Sequence, residues 1–196
     1  MKERIINTAR ERFFQFGFRK VTMDEIASDL GISKKTLYKY FDSKESLATE
    51  VVAEFQSNVT RMINNLRAEI SDPIERFEKC VLEVSQRRSK VGNLFPADIK
   101  KDMPRLWNTI EEFREKTILD HMGDILQEGI KKGKIRKDIN PKIATNIYLG
   151  SIQTIMQPDR LARNEYSIEE AFSNISKIFL QGVEVKQIKG ISINSG

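Results

Sequence analysis

Thr22-Met23-Asp24-Glu25-Ile26-Ala27-Ser28-Asp29-Leu30, then Gly31-Ile32-Ser33, then Lys34-Lys35-Thr36-Leu37-Tyr38-Lys39-Tyr40-Phe41, reads as helix, three-residue turn, helix. A hydroxyl at Thr22 and a carboxylate three residues on, at Glu25, form a capping box that satisfies free amides at a helix start. Gly31 stops that helix, and Ser33 is placed to cap the next, expected from Lys34 to about Phe41. Leu37 and Phe41, four apart, must face inward with Ile26, Ala27 and Leu30. At about 100° per residue this turns Lys35, Thr36, Tyr38 and Lys39 outward. Two lysines, a hydroxyl and a phenol on one exposed face suit a DNA groove: cations and hydroxyls bind phosphate, and Lys and Thr can read base edges. Lys34 lies at the helix start, where recognition helices meet bases.

Outward from this pair, apolar residues recur at three and four throughout, and no convincing strand period occurs. A first helix runs from Lys2 to Phe16, with Ile6, Ala9, Phe13 and Phe16 on one stripe, closed by Gly17. Asp42-Ser43-Lys44-Glu45 starts a long helix to about Ile70. Asp72-Pro73 opens another to about Arg88, and Ser89–Asp102 holds a short one. Pro104 to Lys132 is long and stops at Gly133. Asn140-Pro141 opens a helix to about Gln157, which Pro158 breaks. After a polar loop, Ser167-Ile168-Glu169-Glu170 starts a last helix to about Ile188. The expectation is an all-α chain of about nine helices.

Composition narrows the function. The 196 residues carry 33 Lys and Arg against 28 Asp and Glu, a net +5 that admits a polyanionic partner without demanding one. Within residues 1–49 ten basic residues face seven acidic ones, so arrangement rather than net field carries the DNA argument. One cysteine excludes an intrachain disulfide, and with one histidine it excludes the usual zinc cages. No glycine-rich phosphate loop and no partnered nucleophile is present, so neither an enzyme nor a cofactor is expected. The start lacks a signal-peptide core and no stretch has the roughly 18 apolar residues of a membrane span. The expected location is the cytoplasm.

The run Ile6, Ala9, Phe14, Gly17-Phe18, Thr22 to Ala27, Gly31-Ile32-Ser33, Thr36-Leu37-Tyr38, Tyr40-Phe41, Ser43-Lys44-Glu45 and Leu47 resembles the DNA-binding domain of the tetracycline-repressor-like (TetR-type) regulators. The match covers about 45 contiguous residues and is specific; beyond residue 50 the resemblance is architectural only. It implies a helix-turn-helix domain over residues 1–46 and an effector-binding, dimerisation domain over 47–196. By that resemblance, Thr22 binds backbone phosphate, and Lys34, Lys35 and Thr36 touch bases or the adjacent phosphate. Tyr38, Lys39 and Tyr40 mix both kinds of contact, and Lys44 contacts phosphate. Lys35 departs from the family, which often has a small residue there, so no operator sequence carries over.

One short recognition helix buries too little to select a genomic site; such proteins double up on half-sites one helical turn apart. Ile168, Ala171, Phe172, Ile175, Ile178, Phe179, Gly182, Val183 and Val185 form a stripe wider than one packing face needs. Ile143, Ile147, Ile152, Ile155 and Met156 do the same on the preceding helix, with Gly150 and Ser151 allowing close approach. These two helices are the expected dimer seam. Phe77, Cys80, Trp107, Arg114, Thr117, His121 and Tyr148 are candidates for a mostly apolar effector pocket with a few polar groups; the competing reading of each is ordinary core. The expected function is a homodimeric regulator, a repressor released from a palindromic operator when a small molecule shifts the helix from Lys44 to Ile70. The alternatives are an architectural or division-linked DNA binder that no ligand switches, and an activator.

Overall fold

The computed structural model describes residues 1–163 and 166–185. Ten helices follow one another among them: α1 Lys2–Phe16, α2 Met23–Asp29, α3 Lys34–Tyr38, α4 Lys44–Glu69, α5 Pro73–Val91, α6 Leu94–Asp102, α7 Pro104–Lys131, α8 Pro141–Ile155, α9 Pro158–Leu161 and α10 Ile168–Val183. Extended pairing is limited, among the described residues, to one antiparallel bridge between Ile135 and Glu184. There Arg136 donates its amide to Val183 (2.9 Å) and Val185 donates to Lys134 (3.0 Å), tying the end of α10 to the turn after α7.

The caps explain most boundaries. Asp72 accepts the amides of Ile74 and Glu75, Asn140 those of Lys142 and Ile143, and Ser167 that of Glu170. Three expectations need correction. The recognition helix ends at Tyr38 rather than Phe41: Lys39 and Tyr40 donate to carbonyls only three residues back, and Ser43 is already extended to cap α4. Helix α5 passes Arg88 and runs to Val91, because Gly92, at φ 67°, is the first residue able to leave it. Pro158 does more than break α8. Lacking an amide it cannot continue that helix, but it suits the first position of the new single turn α9. The last part of the expected final helix, toward Ile188, lies outside the described residues.

The core is continuous across the expected division at residue 46. Ile5, Ala9 and Phe13 of α1, Ile26 of α2 and Leu37 of α3 are buried together with Leu47, Val51 and Val52 of α4, Phe95 and Ile99 of α6, and Leu106 and Trp107 of α7. Phe16 is the exception on the α1 stripe: it is exposed, with the Arg12 guanidinium 5.5 Å from its ring centre. A second cluster packs α5, α7, α8 and α10 around Phe77, Leu126, Tyr148 and Phe172. Helix α4 therefore begins in the head and ends in the body. Helix α6 lies where the two meet.

Candidate DNA-facing head and interior cavity

The turn between α2 and α3 is a closed Schellman motif. Gly31 adopts φ 65°, its amide donates to Ser28 (3.0 Å), and the Ile32 amide donates to Ala27 (3.0 Å). The capping box is complete: Thr22 Oγ1 accepts from the Glu25 amide (3.2 Å), and the Thr22 amide donates to Glu25 Oε2 (2.7 Å). That backbone bond, with a second from the Thr22 hydroxyl, holds the Glu25 carboxyl below its usual range. Together these fix how α3 is presented.

The eight sequence-derived residues divide into two sets. Lys35, Tyr38, Lys39 and Tyr40 are exposed on and just after α3, and their side chains have no hydrogen-bond partner among the described residues. The other four are engaged within the head. Lys34 Nζ pairs with Asp24 (2.8 Å), which pushes the ammonium up. The Thr36 hydroxyl meets Ser33 Oγ at 2.8 Å. Thr22 belongs to its box. Lys44 Nζ turns back to donate to the carbonyls of Phe18 and Val21, 3.0 Å each, with the Phe18 ring centre 4.3 Å away. Two neighbouring residues escaped the sequence reading. Lys20, exposed in the loop before α2, has no ion-pair partner among the described residues; its position two residues before Thr22 was the available signal. Arg19 binds Asp102 of α6 through two bonds of 2.6 and 2.5 Å, and its amide donates to Asp98 (2.9 Å). A contact 83 residues apart left no local pattern to read.

An interior cavity of about 210 Å³ lies between α4, α5, α6 and α7, with α8 and α10 behind it. Phe77 and Cys80 of α5, Trp107, Arg114, Thr117 and His121 of α7, and Tyr148 of α8 all line it. The sequence reading missed Arg88 and the α4 contribution of Val52, Phe55 and Val59. The α4 stripe was visible, but nothing local distinguishes a cavity wall from core. Burial raises the Cys80 thiol to about 11, so it stays a thiol at neutral pH. Burial lowers His121 first, with Asp124 opposing, so the imidazole is neutral at pH 7. The buried Tyr148 ring packs against Phe77 at 5.6 Å and Phe179 at 5.2 Å, and burial pushes its phenol up.

The proposed seam is partly interior. Ile168, Ala171, Phe172, Ile175 and Val183 of α10, with Ile152 and Met156 at α8, are buried inside this one chain, against α5 and α7. What remains outside is narrower: Ile143 and Ile147 of α8 are 60% and 61% exposed, Ile178 of α10 is 73%, and Val185 is 48%. Gly150 and Gly182 have open space where a side chain would project. The apolar stripe reads as broad because it serves two faces at once.

An exposed recognition helix on a capped turn, joined by a long helix to a body with an apolar cavity, is the build of a helix-turn-helix transcriptional regulator. Residues 5–51 match the family described as bacterial regulatory proteins, tetR family. The chain is 25% identical to the HTH-type transcriptional regulator YvaF of Bacillus subtilis, over 93% of this chain and 95% of that one. A crystal structure of a transcriptional regulator from Cytophaga hutchinsonii superposes with a TM-score of 0.77 at 25% identity, covering 93% of this chain and 98% of that one. A regulator from Saccharomonospora viridis, solved in complex with choline, superposes at 0.73 with 18% identity, over 94% of this chain and 98% of that one. Residues 5–51 therefore carry the tetR-family DNA-binding pattern, and beyond them the likeness to transcriptional regulators extends over the fold of nearly the whole chain. Among the described residues no helix is long and apolar enough to cross a membrane.

Proposed function

We propose that the protein is a homodimeric cytoplasmic repressor without enzymatic activity. It leaves a palindromic operator when a small molecule enters the cavity. Residues 1–46 act as the DNA head and 47–196 as the effector-binding and dimerisation body. The observation that carries this reading is the shared core: the helices that wall the cavity also hold the head. Phe95 of α6 and Val52 of α4 face both. A ligand that favours one packing of α4 and α6 changes how α2 and α3 are held, and a differential affinity of about 1–3 kcal/mol suffices. The bound small molecule in the Saccharomonospora viridis regulator supports an effector for this fold.

At the DNA, Lys35, Tyr38, Lys39 and Tyr40 meet the major groove and its phosphates directly. Lys34 and Thr36 reach it by exchanging Asp24 and Ser33 for DNA. Thr22 meets phosphate at the start of α2. Lys44 spends two of its three N–H donors on the head and has one left for a phosphate. Lys20 adds a further cation beside them. The test is selection from a random double-stranded DNA pool at about 150 mM salt, near physiological ionic strength. Enrichment of an inverted repeat is expected. Recovery of DNA with no shared sequence favours the architectural alternative.

A further inference from the structure

The polar content of the cavity is lopsided. Its charged lining consists of Arg88 on α5 and Arg114 on α7; no carboxylate lines it. Arg114 is partly compensated, since its Nη1 donates to both oxygens of Glu111 at 3.0 Å. Arg88 is not: its hydrogen bond is to the Gly92 carbonyl, 2.7 Å from Nη1, and it makes no ion pair among the described residues. Burial, and then the neighbouring Arg114 cation, lower its pKa to about 10, so it keeps its charge at neutral pH against both. Closing the end of α5 needs one donor and is done as well from the surface. The remaining Nε and Nη2 donors suit an anion.

The rest of the cavity is shaped for a long apolar body. Helices α5 and α7 run antiparallel here: Arg88 neighbours Arg114, and twelve residues earlier on α5 Arg76 pairs with Glu128 of α7. The lining continues from the arginines to Phe77 and Ile125, eleven residues in each direction, or roughly 16 Å of helix. On the other side of the arginines the lining is shorter, ending at Val91 of α5 and Trp107 of α7, so the stretch toward Phe77 is the longer apolar arm of the cavity.

We infer that the effector is an amphiphile with an anionic head, a carboxylate or phosphate, held between Arg88 and Arg114, and an apolar chain lying along α5 toward Phe77 and Tyr148. This rests on the cavity being the effector site. Guanidinium forks match both head groups bidentately, and the anion relieves the repulsion between the two cations.

Calorimetric titration with decanoate, decyl phosphate, 1-decanol and decyltrimethylammonium tests it on the wild type and on Arg88→Gln and Arg114→Gln, with folding checked by circular dichroism. At least one anion is expected to bind roughly tenfold to hundredfold tighter than the alcohol, and the cation weakest. Which anion wins names the head group. Either folded variant should bring that anion toward the alcohol's affinity. Decanol binding as tightly as both anions would overturn the anionic head while leaving the effector site standing, as would an anion preference that survives both substitutions. If none of the four binds, the effector-site reading falls with it.

Discussion

At the scale of single residues, exposure and partnership separate side chains that the sequence presents alike. Lys35 and Lys44 are both lysines in the recognition region, yet Lys35 is exposed without a partner while Lys44 ties the loop after α1 to the start of α4. Their alanine variants should part accordingly. Lys35→Ala is expected to leave the melting temperature unchanged and to alter which operator variants are preferred. Lys44→Ala loses two charge-assisted bonds and the Phe18 contact, about 2 kcal/mol, and should lower the melting temperature. It should also weaken binding to all DNA sequences alike. Thermal denaturation beside binding to an operator library reads both effects. A sequence-independent loss from Lys35→Ala would remove that residue from base reading.

Among elements, α6 is the one whose importance the sequence hides. Its segment is weakly patterned because it is divided between tasks: Phe95 and Ile99 enter the core, Phe95 and Pro96 wall the cavity, and Asp98 and Asp102 hold Arg19 of the head. Strongly periodic helices such as α4, and caps such as Thr22–Glu25 and Asp72–Pro73, were legible because their signals are local. Which side of α3 faces outward was legible for the same reason. Arg88 in the cavity and Arg19 against α6 were not, since each takes its meaning from helices far away in the chain. Gly17 marks the junction. It adopts φ 84°, and a side chain there would meet Asp98 Oδ2 at 2.8 Å and Leu94 Cβ at 3.2 Å. Gly17→Ala should cost about 1–3 kcal/mol through backbone strain and displacement of α6. Hydrogen exchange is expected to quicken in the head and in α6 together. Quickening confined to residues 16–18 would show that the junction does not join them.

For the whole molecule, two faces of the body answer to different conditions. Inside, Arg76, only 8% exposed, is matched by Glu128, whose carboxyl is held at about 2 by Lys132 and then by Arg76. A folded pKa below the ordinary 4.5 gives stability that is full above that value and is lost as pH falls toward about 2. His121 works in the same direction at higher pH. Its folded pKa is below 6.5, so protonation favours the unfolded chain as pH falls through that value. The melting temperature should therefore decline on acidification, first as His121 protonates and then through the carboxylate range, where Glu25, Asp29 and Asp102 are also held low. The acid part of the decline should be smaller in Glu128→Gln, which should itself be about 2 kcal/mol less stable at pH 7. Outside, the exposed Ile147 and Ile178 bracket the open glycines Gly150 and Gly182. Ile147→Glu with Ile178→Lys changes two mostly exposed side chains, so a separated chain should melt close to the wild-type monomer. If this face is the seam, sedimentation at micromolar concentration should shift from dimer to monomer. Binding to a palindrome should then fall to that of a single half-site. A doubly substituted protein that stays dimeric would place the seam elsewhere on the body.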